Sequence, residues 1–148
     1  MIDMVFNHSS SSNPWFLQSY IDYTSSFGGD YEDYYVWGKS GGTGYNKYKD
    51  LYYECRFDAS MPDLNLDSES VREEIEQICK FWIKDHGVKG FRLDAVLYYY
   101  YGATSKNVEF LTWLKNVCLK YDPNFYMVGE CWSGEDTVLS YANSTCDS

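Results

Sequence analysis

The sequence predicts an α/β fold in which short parallel strands alternate with crossover helices. Three observations lead there. Residues 1–8 (MIDMVFNH), 88–96 (VKGFRLDAV) and 124–132 (NFYMVGECW) are short, rich in apolar or β-branched residues, and bounded by turn formers, as buried strands are. The segments between them carry helical periodicity. The resulting order, strand then helix repeated along the chain, is met by parallel strands whose connections cross over through helices.

The helices are placed by their apolar stripes. Val71, Ile75, Ile78 and Trp82 share one helical face, with Ser70 and Glu73 as a capping box or Asp67 as a cap one turn earlier, and Gly87 suits the position just past the C-terminus. From Val108 to Tyr121, the residues Phe110, Leu111, Leu114, Val117, Cys118 and Tyr121 form a second stripe, which Pro123 ends. A third helix begins near 134–142. About sixty residues separate the first strand from its helix, far beyond an ordinary connection. They are rich in Tyr, Gly, Ser and Asp, as in GGDYEDYYVWGKSGGTGYNKYKDLYYE, and read as a small subdomain inserted on the ligand side.

Bulk composition narrows the function. At 148 residues the chain supports one domain with a real core, and 45% apolar residues speak against disorder. A net charge of −10 with no compensating basic run disfavours nucleic acid and anionic membranes, so a neutral substrate is expected. No stretch is long and apolar enough to span a bilayer. Sixteen Tyr and five Trp suit either an aromatic core or a surface that stacks on hydroxylated rings. The odd set Cys55, Cys79, Cys118, Cys131 and Cys146, with no CxxC pair, reads as free thiols rather than a zinc site or a closed disulfide framework. Met1 leads directly into a strand-like run, so export cannot be read from the chain.

In parallel α/β folds the functional groups gather at the C-terminal ends of strands. The first predicted strand carries Asp3 and ends in Asn7 and His8. The second carries Arg92 and Asp94, and the third ends in Glu130 and Trp132. Two carboxylates on neighbouring strands suit glycoside hydrolysis, in which one attacks the anomeric carbon and the other protonates the leaving oxygen. Arg92, two residues before Asp94, lies on the same strand face and should keep Asp94 charged, as a nucleophile requires. Glu130, set among Val128, Gly129, Cys131 and Trp132, is expected to be desolvated with a raised pKa, as an acid requires. The two side chains should converge across roughly 5–5.5 Å, the spacing of retaining enzymes.

These segments resemble the α-amylase family. DMVFNH at 3–8 is similar to its first conserved region (DxVxNH), GFRLDAV at 90–96 to the second, VGECW at 128–132 to the third, and MPDLN at 61–65 to its short motif near the end of the inserted domain. The order and spacing agree with barrel strands three, four and five. The resemblance therefore implies a partial (β/α)8 TIM barrel, with strand three at 1–8, an inserted domain-B-like segment at 9–66, and helix three through strand five and the start of helix five at 67–148. It implies that Asp94 is the nucleophile, Glu130 the acid/base, Arg92 the arginine that holds the nucleophile, and His8 a histidine that bonds the sugar. Asp3 is then a structural acid beside Arg92. Asn7 and Asp63 match calcium ligands of those members that bind Ca2+. No organic cofactor is implied. Leu97 and Tyr98 stand where many members have Lys-His. A backbone contribution from Tyr98 survives that change, but the side-chain contacts to the sugar differ. The fourth region, with a histidine and a third acid, has no counterpart here, so a fragment that is inactive and aggregation-prone on its own is expected. A soluble, active 148-residue chain would refute that.

The implied reaction is retaining cleavage of α-glucosidic bonds in starch, maltodextrin or a related α-glucan, with exo-α-glucosidase or transglycosylase action left open. The resemblance alone favours a secreted or cell-surface setting over the cytoplasm. A non-catalytic relative would be expected to lose the carboxylates. A phosphate- or dinucleotide-binding enzyme would need a Gly-rich strand–turn–helix, and GGTGYN lies in the insertion instead.

Overall fold

A computed structural model describes residues 1–142 and 147. They form two compact units, Asn7–Arg72 and a second that joins Met1–Phe6 to the chain from Glu73 onward.

In the second unit, β1 (Ile2–Met4), β5 (Gly90–Leu93) and β6 (Tyr126–Gly129) form a parallel sheet in the order β1-β5-β6. Register places Asp3 beside Arg92 and Arg92 beside Val128. The period of two in β5 turns Phe91 and Leu93, both fully buried, to the face opposite Arg92. The sheet extends by one bond past each edge of the assigned strands: Asp94 N–H donates to Met4 O (3.1 Å) and Glu130 N–H to Leu93 O (2.9 Å). The crossovers are helical. Helix α2 (Glu69–Lys80) widens into a π-helical turn, Phe81–Asp85, and α3 (Thr104–Tyr121) and α4 (Glu135–Ala142) follow.

The helices depart from expectation in instructive ways. Ser68, not Ser70 or Asp67, caps α2: its hydroxyl accepts from Val71 N–H at 3.1 Å. The buried residues are Val71, Ile75, Cys79 and Ile83, whereas Ile78 and Trp82 are only half-buried. A spacing of four drifts around a helix of 3.6 residues per turn. The π turn, closed by His86 N–H to Phe81 O (3.1 Å), takes up that drift and returns Ile83 to the buried face. Gly87 then turns the chain at φ +69°, as expected of that position. Helix α3 begins at Thr104, a turn before Val108, and buries Phe110, Leu111, Leu114, Val117 and Cys118; Tyr121 is half-buried.

The Asn7–Arg72 unit is organised rather than irregular. Asn13 caps α1 (Pro14–Thr24) by accepting from Trp15 N–H, and Pro14 occupies the first turn, where its missing N–H costs nothing. Strands β2 (Trp37–Gly38), β3 (Tyr45–Tyr48) and β4 (Leu51–Glu54) form an antiparallel sheet in the order β2-β4-β3. Phe16, on α1, is its hub: the rings of Tyr35, Trp37, Tyr48 and Tyr53 lie 4.8–5.3 Å from it, mostly edge to face. Trp37 Nε1 donates to the buried Ser19 hydroxyl at 2.9 Å, so the indole is dry yet satisfied.

Cys55, Cys79 and Cys118 are buried free thiols and Cys131 is a half-buried one; Cys146 lies outside the described residues. Among the described residues no helix is long and apolar enough to cross a membrane.

Candidate active site

The C-terminal ends of β5 and β6 bring three charged side chains together. One guanidinium, that of Arg92, spans both carboxylates: Nη1 donates to Asp94 Oδ1 at 2.9 Å and Nη2 to Glu130 Oε1 at 2.6 Å. Asp3, across the register on β1, is more distant at 4.0 Å from Arg92 Nε and largely exposed. Asp94 and Glu130 each retain about 30% of their side-chain exposure, enough to meet a ligand and too much for a buried structural triad.

The electrostatics correct one expectation. Glu130 lies below the ordinary carboxylate range, not above it. A hydrogen bond with the Trp132 side chain lowers it most. Partial burial opposes this, and Asp94 and Arg92 lower it further. The sequence neighbours Gly129 and Cys131 suggest an apolar setting, but the neighbours in space are a guanidinium and an indole. Arg92 itself is pushed up by Glu130, Asp94 and Asp3 against a desolvation effect of opposite sign.

Backbone features hold the rim. Ala95, directly after Asp94, sits at φ +55°, a left-handed conformation unusual for alanine, and turns the chain sharply off the strand. Gly129 admits the Val96 side chain, which a Cβ there would meet at 3.1 Å. The loop that follows carries Tyr98, whose ring stacks on that of Tyr101 (5.6 Å, 30°). Asn107 fastens this loop. It is buried, accepts from Tyr100 N–H at 2.6 Å, and donates to Leu97 O at 3.1 Å and Tyr141 Oη at 2.7 Å. Sequence reasoning passed over Asn107, because an asparagine at the start of an amphipathic helix looks like a surface residue. Its position just ahead of the predicted stripe, one turn before Phe110 and Leu111, was the available signal.

The remaining expected residues, Asn7, His8 and Asp63, belong to the other unit. MPDLN runs antiparallel beside the end of the first segment: His8 bridges Asp63, and Leu64 N–H donates to Asn7 O at 2.9 Å. His8 packs its ring 5.5 Å from Phe57. Asn7 Nδ2 donates to Asp63 Oδ1 (3.1 Å) and Arg56 N–H to Asp63 Oδ2 (3.0 Å). Burial pushes the Asp63 carboxyl up to about 6, against those bonds. The pair therefore meets, but its two side chains alone fall short of the about 6–8 oxygens of a calcium shell. Each Asp63 oxygen accepts one protein N–H and keeps a further lone pair, and Asn7 Oδ1 is buried without a partner. Among the described residues no group of three or more His, Cys, Asp or Glu is placed to hold a metal.

Parallel strands with crossover helices, and paired carboxylates on neighbouring strand ends, are an arrangement that glycoside hydrolysis can use. The chain belongs to the α-amylase family: the family model described as "Alpha amylase, catalytic domain" matches residues 1–147. It is 41% identical to "Alpha-amylase 3" of Dictyoglomus thermophilum over 95% of this chain and 28% of that protein. It is 36% identical to an oligo-1,6-glucosidase of Bacillus cereus over 65% of this chain and 19% of that protein. Among solved structures, Eubacterium rectale Amy13B superposes with a TM-score of 0.91 at 40% identity, covering 99% of this chain and 30% of that one. The fold class expected from sequence is thereby met. The chain spans between about a fifth and three tenths of the length of these relatives.

Proposed function

We propose that the protein carrying this chain hydrolyses α-glucosidic bonds of starch, maltodextrin or a related α-glucan with retention of configuration. The observation that carries this reading is the single guanidinium of Arg92 clamping Asp94 and Glu130 at neighbouring strand ends. Retaining enzymes hold their carboxyl groups about 5–5.5 Å apart, and inverting enzymes leave roughly 6.5–9.5 Å for a water between them. Carboxylates bonded to the two terminal nitrogens of one guanidinium support the first.

In this reading the Asp94 carboxylate attacks the anomeric carbon as the bond to the leaving oxygen breaks, and Glu130 gives its proton to that oxygen. A glycosyl ester forms on Asp94. Water then attacks the same carbon, Glu130 takes the water proton, and the ester bond breaks to restore the Asp94 carboxylate. Glu130 must be protonated for the first step, and without ligand it is held ionised. A neutral sugar seated against the pair excludes water and draws Glu130 off Arg92, both of which raise its pKa. His8 is assigned to bonding the sugar on the family pattern; Tyr98, which departs from that pattern, is assigned a supporting place beside the substrate. No step is routed through a metal.

Asp94→Asn in the complete protein should lower kcat on maltooligosaccharides by about 10⁴-fold or more, and proton NMR of the first product should show the α-anomer. Undiminished hydrolysis by this variant, or a β-anomeric first product, would reject the reading. Product analysis on amylose against isomaltose decides between amylase-like and oligo-1,6-glucosidase-like action.

A further inference from the structure

A cavity on the Asn7–Arg72 unit shares no residue with the carboxylate cluster. It has a volume of about 430 Å³ and lies between α1 and the 29–31 turn, lined by Trp15, Gln18, Asp22, Gly29, Asp30 and Tyr31 among others. That volume is at the small end of the roughly 300–1,000 Å³ of small-molecule sites. We propose that it is a second, non-catalytic carbohydrate site that takes a short α-glucan segment. The ligand's identity rests on the α-glucan reading above.

The lining chemistry selects the ligand class. Trp15 and Tyr31 supply aromatic surface, and both rings are braced from behind by the buried Tyr34, at 5.5 and 4.6 Å. The polar floor is fixed in place. Asp22 is 7% exposed; one of its oxygens accepts from the Gln18 amide at 2.7 Å and the other from Tyr31 N–H at 3.0 Å. With the Gln18 nitrogen engaged, its carbonyl oxygen is the end that can accept from a hydroxyl. Gly29 makes this packing possible, since a Cβ there would overlap the Asp22 carboxyl group.

Other ligand classes fit less well. Two carboxylates, Asp22 and Asp30, repel an anion. A cation would compete with protein donors for both Asp22 oxygens. An apolar ligand would desolvate Asp22, Asp30 and Gln18 with nothing in return. A flat, neutral, hydroxylated ring satisfies the aromatic and polar sides together, because it has an apolar face and a polar edge. The site would hold a polymer near the enzyme while its own chemistry stays elsewhere, so it raises affinity for long chains and not for short ones.

The test uses the complete protein. Trp15→Ala should weaken retardation on native gels cast with soluble starch by at least about fivefold, while kcat/KM on maltotriose stays within about twofold. Gln18→Ala, which removes an exposed side chain, should weaken starch retardation by about threefold. Parental starch affinity in folded Trp15→Ala, or in Gln18→Ala where Trp15→Ala does not fold, would overturn the proposal. Asp94→Asn separates the two readings: if it remains active the catalytic assignment fails, whereas the Trp15 and Gln18 variants still decide the cavity.

Discussion

The parallel-sheet unit and the Asn7–Arg72 unit draw on the same residue types and place them in opposite ways. In the first, the fully buried residues Phe91, Leu93, Leu114 and Met127 are apolar, and three charged side chains, Arg92, Asp94 and Glu130, meet at the strand ends. In the second, rings fill the interior around Phe16, and the tyrosine hydroxyls find partners at its margins, as Tyr35 does with Ser9 and Tyr20 with Asp50. A carboxylate is treated differently in each. Glu130 faces a cation and an indole and is held low; Asp63 is pushed up to about 6, chiefly by burial, with the charges of Glu54 and Arg56 acting in opposite directions. A guanidinium at a half-open rim thus helps hold one carboxylate low, whereas burial in a closed site pushes the other up.

The largest effect that would break this contrast comes from Arg92. Arg92→Met removes the one cation common to both carboxylates. Turnover of a maltooligosaccharide should fall on the order of 10²–10³-fold, the scale of losing a preorganised charge contact. The pH–rate limb that reports Glu130 should move to higher pH, because a group that favours its ionised form is gone. An unshifted limb with full activity would mean that the guanidinium is only a structural tie.

Next in size is the aromatic hub. Phe16→Ala should destabilise the protein by about 3–5 kcal/mol, the usual range for a buried phenylalanine, read as a fall in the denaturant midpoint. A loss below about 1 kcal/mol would show that the surrounding rings can collapse into the space and that Phe16 is not their centre.

These two sites differ in how far the sequence revealed them. The rim was legible because each member lies at the end of a short strand, and strand order alone brings Asp94 and Glu130 together. The direction of the Glu130 shift was not legible: it depends on Arg92, one strand away, and on how Trp132 folds back. The aromatic hub was equally hidden. Phe16, Tyr35, Trp37, Tyr48 and Tyr53 are scattered over the insertion, and nothing local says that a helix and a three-stranded sheet will place them in one cluster. Their surplus in the composition was visible, but not that so many would become core. The buried faces of α2 and α3 fall between these cases, with the stripes right in outline and shifted by the π turn and by the true cap at Ser68.

A smaller effect tests whether the rim needs its loop. Asn107→Ala leaves Tyr100 N–H and Leu97 O without their side-chain partner, and deletion of such buried partners costs about 1–3 kcal/mol. The melting temperature should fall accordingly, and kcat/KM on a glucan should drop by several-fold while the Glu130 limb stays in place. A shift of that limb would mean that Asn107 also sets the electrostatics of the carboxylate pair.

The smallest effect sharpens the other side of the contrast, where a hydroxyl rather than a carboxylate meets burial. Tyr35 is almost fully enclosed, with its hydroxyl 2.6 Å from Ser9 Oγ, and burial raises it from 10.0 to about 12, with the serine bond acting the other way. The folded protein therefore keeps this proton where the unfolded chain has lost it. The stability involved is fully present below pH 10 and is lost as pH rises through about 12. At neutral pH, Tyr35→Phe should cost about 1 kcal/mol, the worth of one neutral hydrogen bond. Between pH 10 and 12 its stability should fall less steeply than that of the parent, since phenylalanine has no proton to lose, and the deficit should shrink or reverse. Parallel alkaline unfolding curves for the two proteins would mean that Tyr35 ionises as readily in the folded state as in the unfolded, and that its hydroxyl reaches water despite the enclosure of the ring.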